Sequence, residues 1–498
     1  MNSENHLDAG RPILLATNDY AMLRTPHDLS MRLQRHIFSR YPRREWGTFF
    51  LFGYRNTPWG MSLTIVDLIL PKAGDLDRSS GIVEFRTQYI ARAKDIAEAS
   101  QLGLGVAHSH PKGCSTAPSW LDNDMDRYFA EFLKPFLPDR PYASLIFEKG
   151  TDGTLSWSGR AFNSRGWVPV SDLLVTSDQK LTRLRNQLLS EAVDKSPAIL
   201  RSPSTARANE LFGEVASERI RGACVGVIGA SGTGSPAIEI LARAGVGEII
   251  VVDPKRLDFP NQERVHGSCA ADYRLEPLPW KVDVAERHVQ AIAPATKITK
   301  IVGNILENRV LDELLRCDVL LGCSDTHHSR AAYSYLANHY YLPVLDMGVR
   351  MHASEGKLRV QAAEIIAYWP GGPCPYCDER IDWREVSQEL ARPEEAAERQ
   401  KQAEEARADG FDGDQYWRDS SRLLTVGYLT TAVGSLAAGY TLHWLTGTAE
   451  MPASRFQIDV GFPNLGFVSP PRKIKPGCVC RSKFGWSDQA TSERLVGY

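Results

Sequence analysis

The stretch from Cys224 to Asp253, CVGVIGASGTGSPAIEILARAGVGEIIVVD, leaves a chain few choices of fold. A β-branched run ends in Gly229-Ala230-Ser231-Gly232-Thr233-Gly234, a helical period follows to Ala244, and a second apolar strand, Glu248 to Val252, ends at Asp253. Strand, tight glycine turn, helix and strand in this order open a parallel sheet wound on both faces, since only strands buried on both sides read as short unbroken apolar runs. The amides of the turn sit at the positive end of the helix and suit a phosphate. Asp253 is placed to accept from a ribose hydroxyl. On these features alone, NAD(P) and ATP are both open.

The residues downstream of the turn favour ATP. Asn261-Gln262-Glu263-Arg264 lies just past Asp253, and Lys281 opens a helix that runs to Ile292. Two cations and an amide suit a polyphosphate, and hydride transfer has no use for them; taken singly, each would be an ordinary surface residue. Asp325 follows a buried strand, Asp318 to Cys323, at the carboxyl edge of the sheet, where Mg²⁺ would be held. Further on, Cys374-x-x-Cys377 and Cys478-x-Cys480 supply the four thiolates of a closed structural zinc site, with unpaired buried thiols as the alternative. No cysteine lies between Asp378 and Gly477, and Cys269, Cys317 and Cys323 are poor nucleophile candidates, so a thioester on this chain is not expected. The segment Asp378 to Ala408, rich in Glu and Arg, reads as a solvated helical excursion over the sheet.

The first third has a different pattern. Trp46–Tyr54 and Met61–Leu70 read as paired strands, Phe85–Leu102 as a helix, and Gly105–His110 as an apolar strand ending in His108-Ser109-His110. A helix from Ser119 to about Leu133 and strands near Ala143–Phe147 and Leu155–Phe162 complete an α+β unit closing near residue 168. With a side-chain period of two, His108 and His110 share one face of their strand. Asp122 in the first turn of the next helix could complete three ligands for a catalytic Zn²⁺, with Asp124 as fallback. Such an ion lowers the pKa of a bound water, and Glu45, just before the Trp46 strand, is the candidate proton shuttle. The plainer readings are two core histidines, a capping box at Ser119-x-x-Asp122 and a solvated Glu45.

Taken together, Glu45, His108-x-His110-Pro111 and Ser119-x-x-Asp122 resemble the JAB/JAMM (MPN) metalloprotease family over about the first 165 residues. The resemblance implies His108, His110 and Asp122 as zinc ligands, Glu45 as acid/base and Ser119 as the stabiliser of the tetrahedral oxyanion. It also implies cleavage of peptide or isopeptide bonds after the C-terminal glycine of ubiquitin-like proteins. The spacing departs from the common pattern by one residue, since Pro111 to Pro118 separate His110 from Ser119. From about residue 200 to 490 the chain resembles the ThiF/MoeB and ubiquitin-activating adenylyltransferases. That resemblance rests on the glycine loop, NQER and SDTHHSR, which spans Ser324 to Arg330. It implies a nucleotide loop at Gly229, Gly232 and Gly234, with Asp253 on the ribose. Asn261, Arg264 and Lys281 would surround the triphosphate, Asp325 would bind Mg²⁺, and Arg330 would support that loop. Arg207 resembles an arginine that reaches the partner subunit's ATP in family dimers, and the family also carries a Cys₄ zinc.

These readings divide the chain into a metallopeptidase-like domain at 1–168, a linker at 169–200 containing a charged helix, and an adenylyltransferase-like domain at 201–498. Fifty-eight basic against sixty acidic residues, a formal charge of -2, give no global field for nucleic acid or an anionic membrane. The uncharged run Thr425–Leu445 reads as a buried core helix, with a membrane span as the alternative. The N-terminus shows no secretory signal, and the nine cysteines are used as in a reduced cytoplasmic protein. The expectation is a cytoplasmic, homodimeric, bifunctional enzyme of a bacterial ubiquitin-like modification system, of a kind in some cases tied to antiviral defence. It would adenylate the C-terminal glycine of a ubiquitin-like protein for a conjugating enzyme and trim or remove that modifier. Two alternatives stay open: activation of a sulfur carrier for a sulfur-transfer protein, or a modifier-binding scaffold with one inactive domain.

Overall fold

The computed structural model describes residues 12–77, 83–150, 152–189, 206–418, 425–450, 454–460 and 466–490. The N-terminal unit is built on an eight-stranded sheet. Its strands are β1 (Tyr20–Pro26), β2 (Trp46–Thr57), β3 (Gly60–Ile69), β6 (Gly103–Ser109), β7 (Tyr142–Lys149), β8 (Leu155–Asn163), β9 (Gly166–Thr176) and β10 (Leu181–Arg185). They lie in the order β1-β3-β2-β6-β7-β8-β9-β10, and β1 also pairs with β9, so the sheet closes on itself. A two-stranded ribbon, β4 (Leu76–Asp77) and β5 (Glu84–Phe85), stands apart. Alternation along β2 sends Phe50 and Phe52 into one core with helix α1 (His27–Ile37). Phe49 and Leu51 go into a second core with α2 (Thr87–Ser100) and α3 (Trp120–Leu133).

The boundary expected at residue 168 falls inside β9, and the sheet runs on to Arg185. Val170, Leu173 and Val175 are buried and alternate with half-exposed positions only in part, a pattern that a linker reading of the first few polar residues misses. The latter part of the expected linker and the first residues after it, 190–205, lie outside the described residues, as do the first eleven residues.

The C-terminal unit carries the doubly wound sheet. Its strands are β11 (Cys224–Ile228), β12 (Glu248–Val252), β13 (Lys297–Ile301), β14 (Val319–Gly322), β15 (Val344–Ser354), β16 (Lys357–Tyr368), β17 (Arg455–Asp459) and β18 (Gly466–Val468). Their order is β13-β12-β11-β14-β15-β16-β17-β18, parallel from β13 to β15 and antiparallel thereafter. The order reverses at β11, which lies between β12 and β14, and such a switch point opens a crevice at the carboxyl ends of the strands. The helices are α4 (Ala206–Phe212), α5 (Glu214–Gly222), α6 (Gly234–Arg243), α7 (Lys281–Ile292), α8 (Asn308–Leu314), α9 (His327–His339), α10 (Trp383–Glu389), α11 (Pro393–Ala408) and α12 (Gly427–Thr446). The uncharged run is α12, whose Leu429, Val433, Ala437 and Trp444 are buried in the main core beside α6, β15 and β16. Among the described residues no helix is long and apolar enough to cross a membrane.

The two units are joined through buried polar groups. Arg24 of β1, 1% exposed, donates to Leu315 O at 2.5 Å and to Cys317 O at 3.0 Å just past the end of α8. Arg183 of β10 bridges Asp172 (2.8 Å) and Asp318 (3.0 Å), and Arg55 bridges Asp312 (2.7 Å) and Asp488 (3.1 Å). Trp59 Nε1 donates to Asp312 O at 2.7 Å, and Thr64 Oγ1 donates to Gly485 O. The N-terminal unit thus docks on α8 and on the amino-terminal edge of the parallel sheet, leaving the carboxyl edge open.

Candidate functional site

At that carboxyl edge one cavity of about 760 Å³ collects Gly229, Gly232, Asp253, Asn261, Arg264, Lys281, Asp325 and Arg330. The turn that starts it needs glycine. Gly229 has φ +100°, and a Cβ on Gly234 would stand 1.8 Å from Gly229 O, so the strand turns into α6 with no side chain between them. Asp253 fixes the same turn: its carboxylate accepts from Ala230 N and Lys255 N, both at 2.8 Å. Asn261 is buried with an unpartnered Oδ1, an orphan that a ligand would satisfy. Arg264 is anchored at the head of α12 through Thr425 O at 2.8 Å, and its Cδ would lie 3.2 Å from a Cβ on Gly232. Lys281 is 8% exposed, and burial pushes its pKa down. Arg330 pairs with buried Asp346 at 3.3 Å, and Asp325 is exposed on the rim. Arg207 is exposed on α4 and is not in the lining of its own chain's cavity.

Several lining residues carried no sequence signal. Glu389, at the end of α10, accepts from His327 N, His328 N and His328 Nδ1, each at 2.9 Å, and so caps the helix into which Asp325 leads. The charged segment is therefore not wholly a solvated excursion, since Glu389 and Arg380 both reach the cavity. Arg380 pairs there with Glu364 at 2.8 Å. Cys323 also lines the cavity, but burial pushes its thiol far up and makes it a poor nucleophile.

The four cysteines converge. Sγ–Sγ separations are 3.8 Å for Cys374–Cys377, 3.6 Å for Cys374–Cys478 and 3.8 Å for Cys377–Cys480. Thiolates 2.3 Å from a shared tetrahedral zinc lie about 3.8 Å apart, so the set fits that ion. Lys475 N points at Cys377 Sγ from 3.5 Å.

In the N-terminal unit His108, His110 and Asp122 are all buried, with one ligand atom from each within 4.8 Å of the others. His108 Nε2 lies 3.1 Å from Asp122 Oδ1, yet both ring nitrogens of His108 lack a hydrogen-bond partner, so the contact is close without a hydrogen bond's direction. His110 Nε2 is 3.4 Å from Asp122 Oδ2. Ligand atoms of a tetrahedral zinc with nitrogen and oxygen donors lie about 3.3 Å apart, so these separations also fit. His110 Nδ1 donates to Ser115 O at 2.7 Å, which leaves the lone pair on Nε2. Ser119 caps α3, and its Oγ donates to Asp122 Oδ2 at 2.6 Å. Asp122 thus belongs both to the capping box and to the candidate ligand set, and Asp124 faces Arg127 instead (3.4 Å). Burial pushes the Asp122 carboxyl up, but His108, His110 and Ser119 outweigh it and hold it far below the usual range. Glu45 Oε2 accepts from Val83 N at 3.3 Å, and its charge reaches His110.

Comparison with known proteins matches a model of the ThiF family to residues 204–480. The SAMP-activating enzyme E1 of Haloferax volcanii is 27% identical over 159 residues, covering 32% of this chain and 54% of that protein. Ubiquitin-like modifier-activating enzyme 5 of Aedes aegypti is 26% identical over 216 residues, covering 41% and 52%. The chain thus spans about half the length of these relatives. Among solved structures, E. coli MccB with ATP aligns with a TM-score of 0.40 and 18% identity, over 59% of this chain and 78% of that one.

Proposed function

Because this chain belongs to the ThiF family, we propose that its C-terminal unit adenylates the C-terminal carboxylate of a ubiquitin-like or sulfur-carrier protein, and that its N-terminal unit is a zinc peptidase acting on proteins of that class. The first half rests on one observation: the glycine turn, Asp253, the orphaned Asn261 and the cations Arg264 and Lys281 share a single cavity. ATP is the substrate that uses all of them. A carboxylate oxygen attacks the α-phosphorus, an acyl–O–P bond forms, and the bond to the β-phosphate oxygen breaks with release of pyrophosphate. Lys281 and Arg264 offset the charge that develops on the phosphates, and the turn's amides hold a phosphate at the head of α6. Mg²⁺, held by Asp325, would supply further charge neutralisation. Arg207 is assigned to the cavity of a second copy in a homodimer. Because burial pushes up the thiol of Cys323, the one cysteine among the described lining residues, the acyl adenylate passes to a thiol on another protein. ATP–pyrophosphate exchange dependent on a β-grasp protein ending in Gly-Gly tests this half; exchange with none of the candidate partners would refute it.

For the N-terminal half, His108, His110 and Asp122 would hold the zinc, which would supply Lewis acidity at the scissile carbonyl. Glu45 takes the proton of the attacking water and returns it to the leaving amine. Ser119 orients Asp122 through its hydroxyl and would stabilise the tetrahedral oxyanion. Glu45→Gln should abolish cleavage of a β-grasp fusion while zinc content stays unchanged, and undiminished cleavage would remove Glu45 from the mechanism. If sulfur transfer is the pathway, the activated carrier should receive sulfur and form no isopeptide conjugates.

A further inference from the structure

The rim of the N-terminal site carries positive charge that its hydrolytic chemistry does not use. Three segments meet there. Arg40, Arg43 and Arg44 lie on the connection between α1 and β2 that ends at Glu45, Lys112 lies two residues past His110, and Lys149 ends β7. Backbone contacts fix their arrangement: Lys112 N donates to Pro42 O at 3.0 Å, His110 N donates to Phe147 O at 2.9 Å, and the Tyr41 hydroxyl donates to Lys149 O. The Arg40 guanidinium lies over the Trp46 ring, 5.4 Å from its centroid.

All five cations are exposed, and none is in an ion pair with another described residue. Apart from Glu45, the acidic residue within these segments is Glu148, which accepts from Gly113 N at 3.3 Å. Five cations against two carboxylates, Glu45 and Glu148, in a chain whose formal charge is -2, make a local field rather than a general property of the surface. Charges spaced within about one Debye length of each other act together on an approaching partner and fade in high salt.

We propose that this collar selects protein substrates with an acidic segment on the leaving side of the scissile bond. The proposal rests on the peptidase reading above, because a rim around a proteolytic centre meets polypeptide. The tail before the scissile bond is common to every conjugate of one modifier, so discrimination among conjugates falls to the segment after it.

The test uses the full chain and a β-grasp protein that it cleaves. That protein is fused after its Gly-Gly to a fluorescent protein, through a linker that is acidic (Asp and Glu), neutral (Ser and Asn) or basic (Lys and Arg). A Gly-Gly aminocoumarin peptide serves as the small probe. The expected order of kcat/KM is acidic over neutral over basic, at least tenfold from first to last at 50 mM salt and shrinking at 500 mM. The difference should lie in KM. The double variant Arg43→Glu/Arg44→Glu should invert the order, changing the peptide rate less than twofold and leaving zinc content unaltered. Equal rates on the three linkers, or an order untouched by the charge reversal, would overturn the proposal. So would binding of a single-stranded oligonucleotide by the wild type, measured by fluorescence anisotropy, that the double variant loses while its proteolysis is unchanged. Failure of the wild type to cleave any fusion would count against the peptidase reading itself.

Discussion

Replacing Lys281 by methionine should make the unliganded protein more stable and leave it unable to use ATP. Lys281 is 8% exposed and opens α7, where the positive end of the helix disfavours a cation. Burial pushes its pKa down, Lys255 and Arg264 push the same way, and Asp253 and Asp325 only partly offset them. The sign follows from linkage. An unfolded lysine titrates near 10.4, so the unfolded chain holds the proton more tightly. The folded state therefore carries the full penalty at all pH values below its depressed pKa, including pH 7, and sheds it as the pH rises through that value towards about 10.4. Exchanging a buried charge for an apolar group of similar volume stabilises by about 1–4 kcal/mol where the charge lacks a close partner. At about 1–2 °C per kcal/mol for a chain of this size, a shift of that order is resolvable in a thermal melt. Adenylation should fall by about 10²–10³, the usual loss for one charge-stabilising donor. Melts at pH 7 and pH 10, each with and without Mg-ATP, separate the effects: the variant melts higher than wild type without nucleotide, by less at pH 10, and gains nothing from ATP. A variant less stable than wild type at pH 7, or one still stabilised by ATP, would refute the reasoning.

Cys480→Ser should remove one equivalent of zinc by metal analysis and lower the melting temperature, while His108-dependent cleavage persists, because the thiolate set closes two chain segments a hundred residues apart. Arg24→Ala should cost about 2–4 kcal/mol in urea unfolding, since it strands two buried carbonyls at the seam between the units. Burial pushes the Glu239 carboxyl up, but hydrogen bonds from His266, His288 and Arg243 hold it at about 2. Its contribution is complete above the unfolded value near 4.3 and is lost as pH falls towards 2, so Glu239→Gln should flatten the wild-type decline in stability between pH 5 and pH 3.

The parallel sheet, its glycine turn and the order of the residues that line the cavity were legible because each is a local pattern: a strand's apolar run, a turn that tolerates no Cβ, a helix start. Lys281–Ile292 matches α7 residue for residue for that reason. The convergence of His108, His110 and Asp122 was legible for a related one, since His108 and His110 share a strand face and Ser119-x-x-Asp122 is fixed by a helical turn. The boundary at 168 was not legible, because β9 continues past its hairpin with β8 to pair with β10 and with β1, a partner about 150 residues earlier.

Glu389 marks the same limit inside the cavity. Nothing within its own charged stretch distinguishes it from its neighbours, and only the docking of α10 on the head of α9 turns it into a cap. The collar around His110 is likewise assembled from residues 40–44, 112 and 149, which meet through the pairing of β2, β6 and β7. Sequence by itself determined which chemistry each short segment can carry, because φ/ψ limits, side-chain periodicity and ligand type act over a few residues. Tertiary structure decided which segments share a cavity, a seam or a rim, because those contacts depend on strand order and docking, which no local preference encodes.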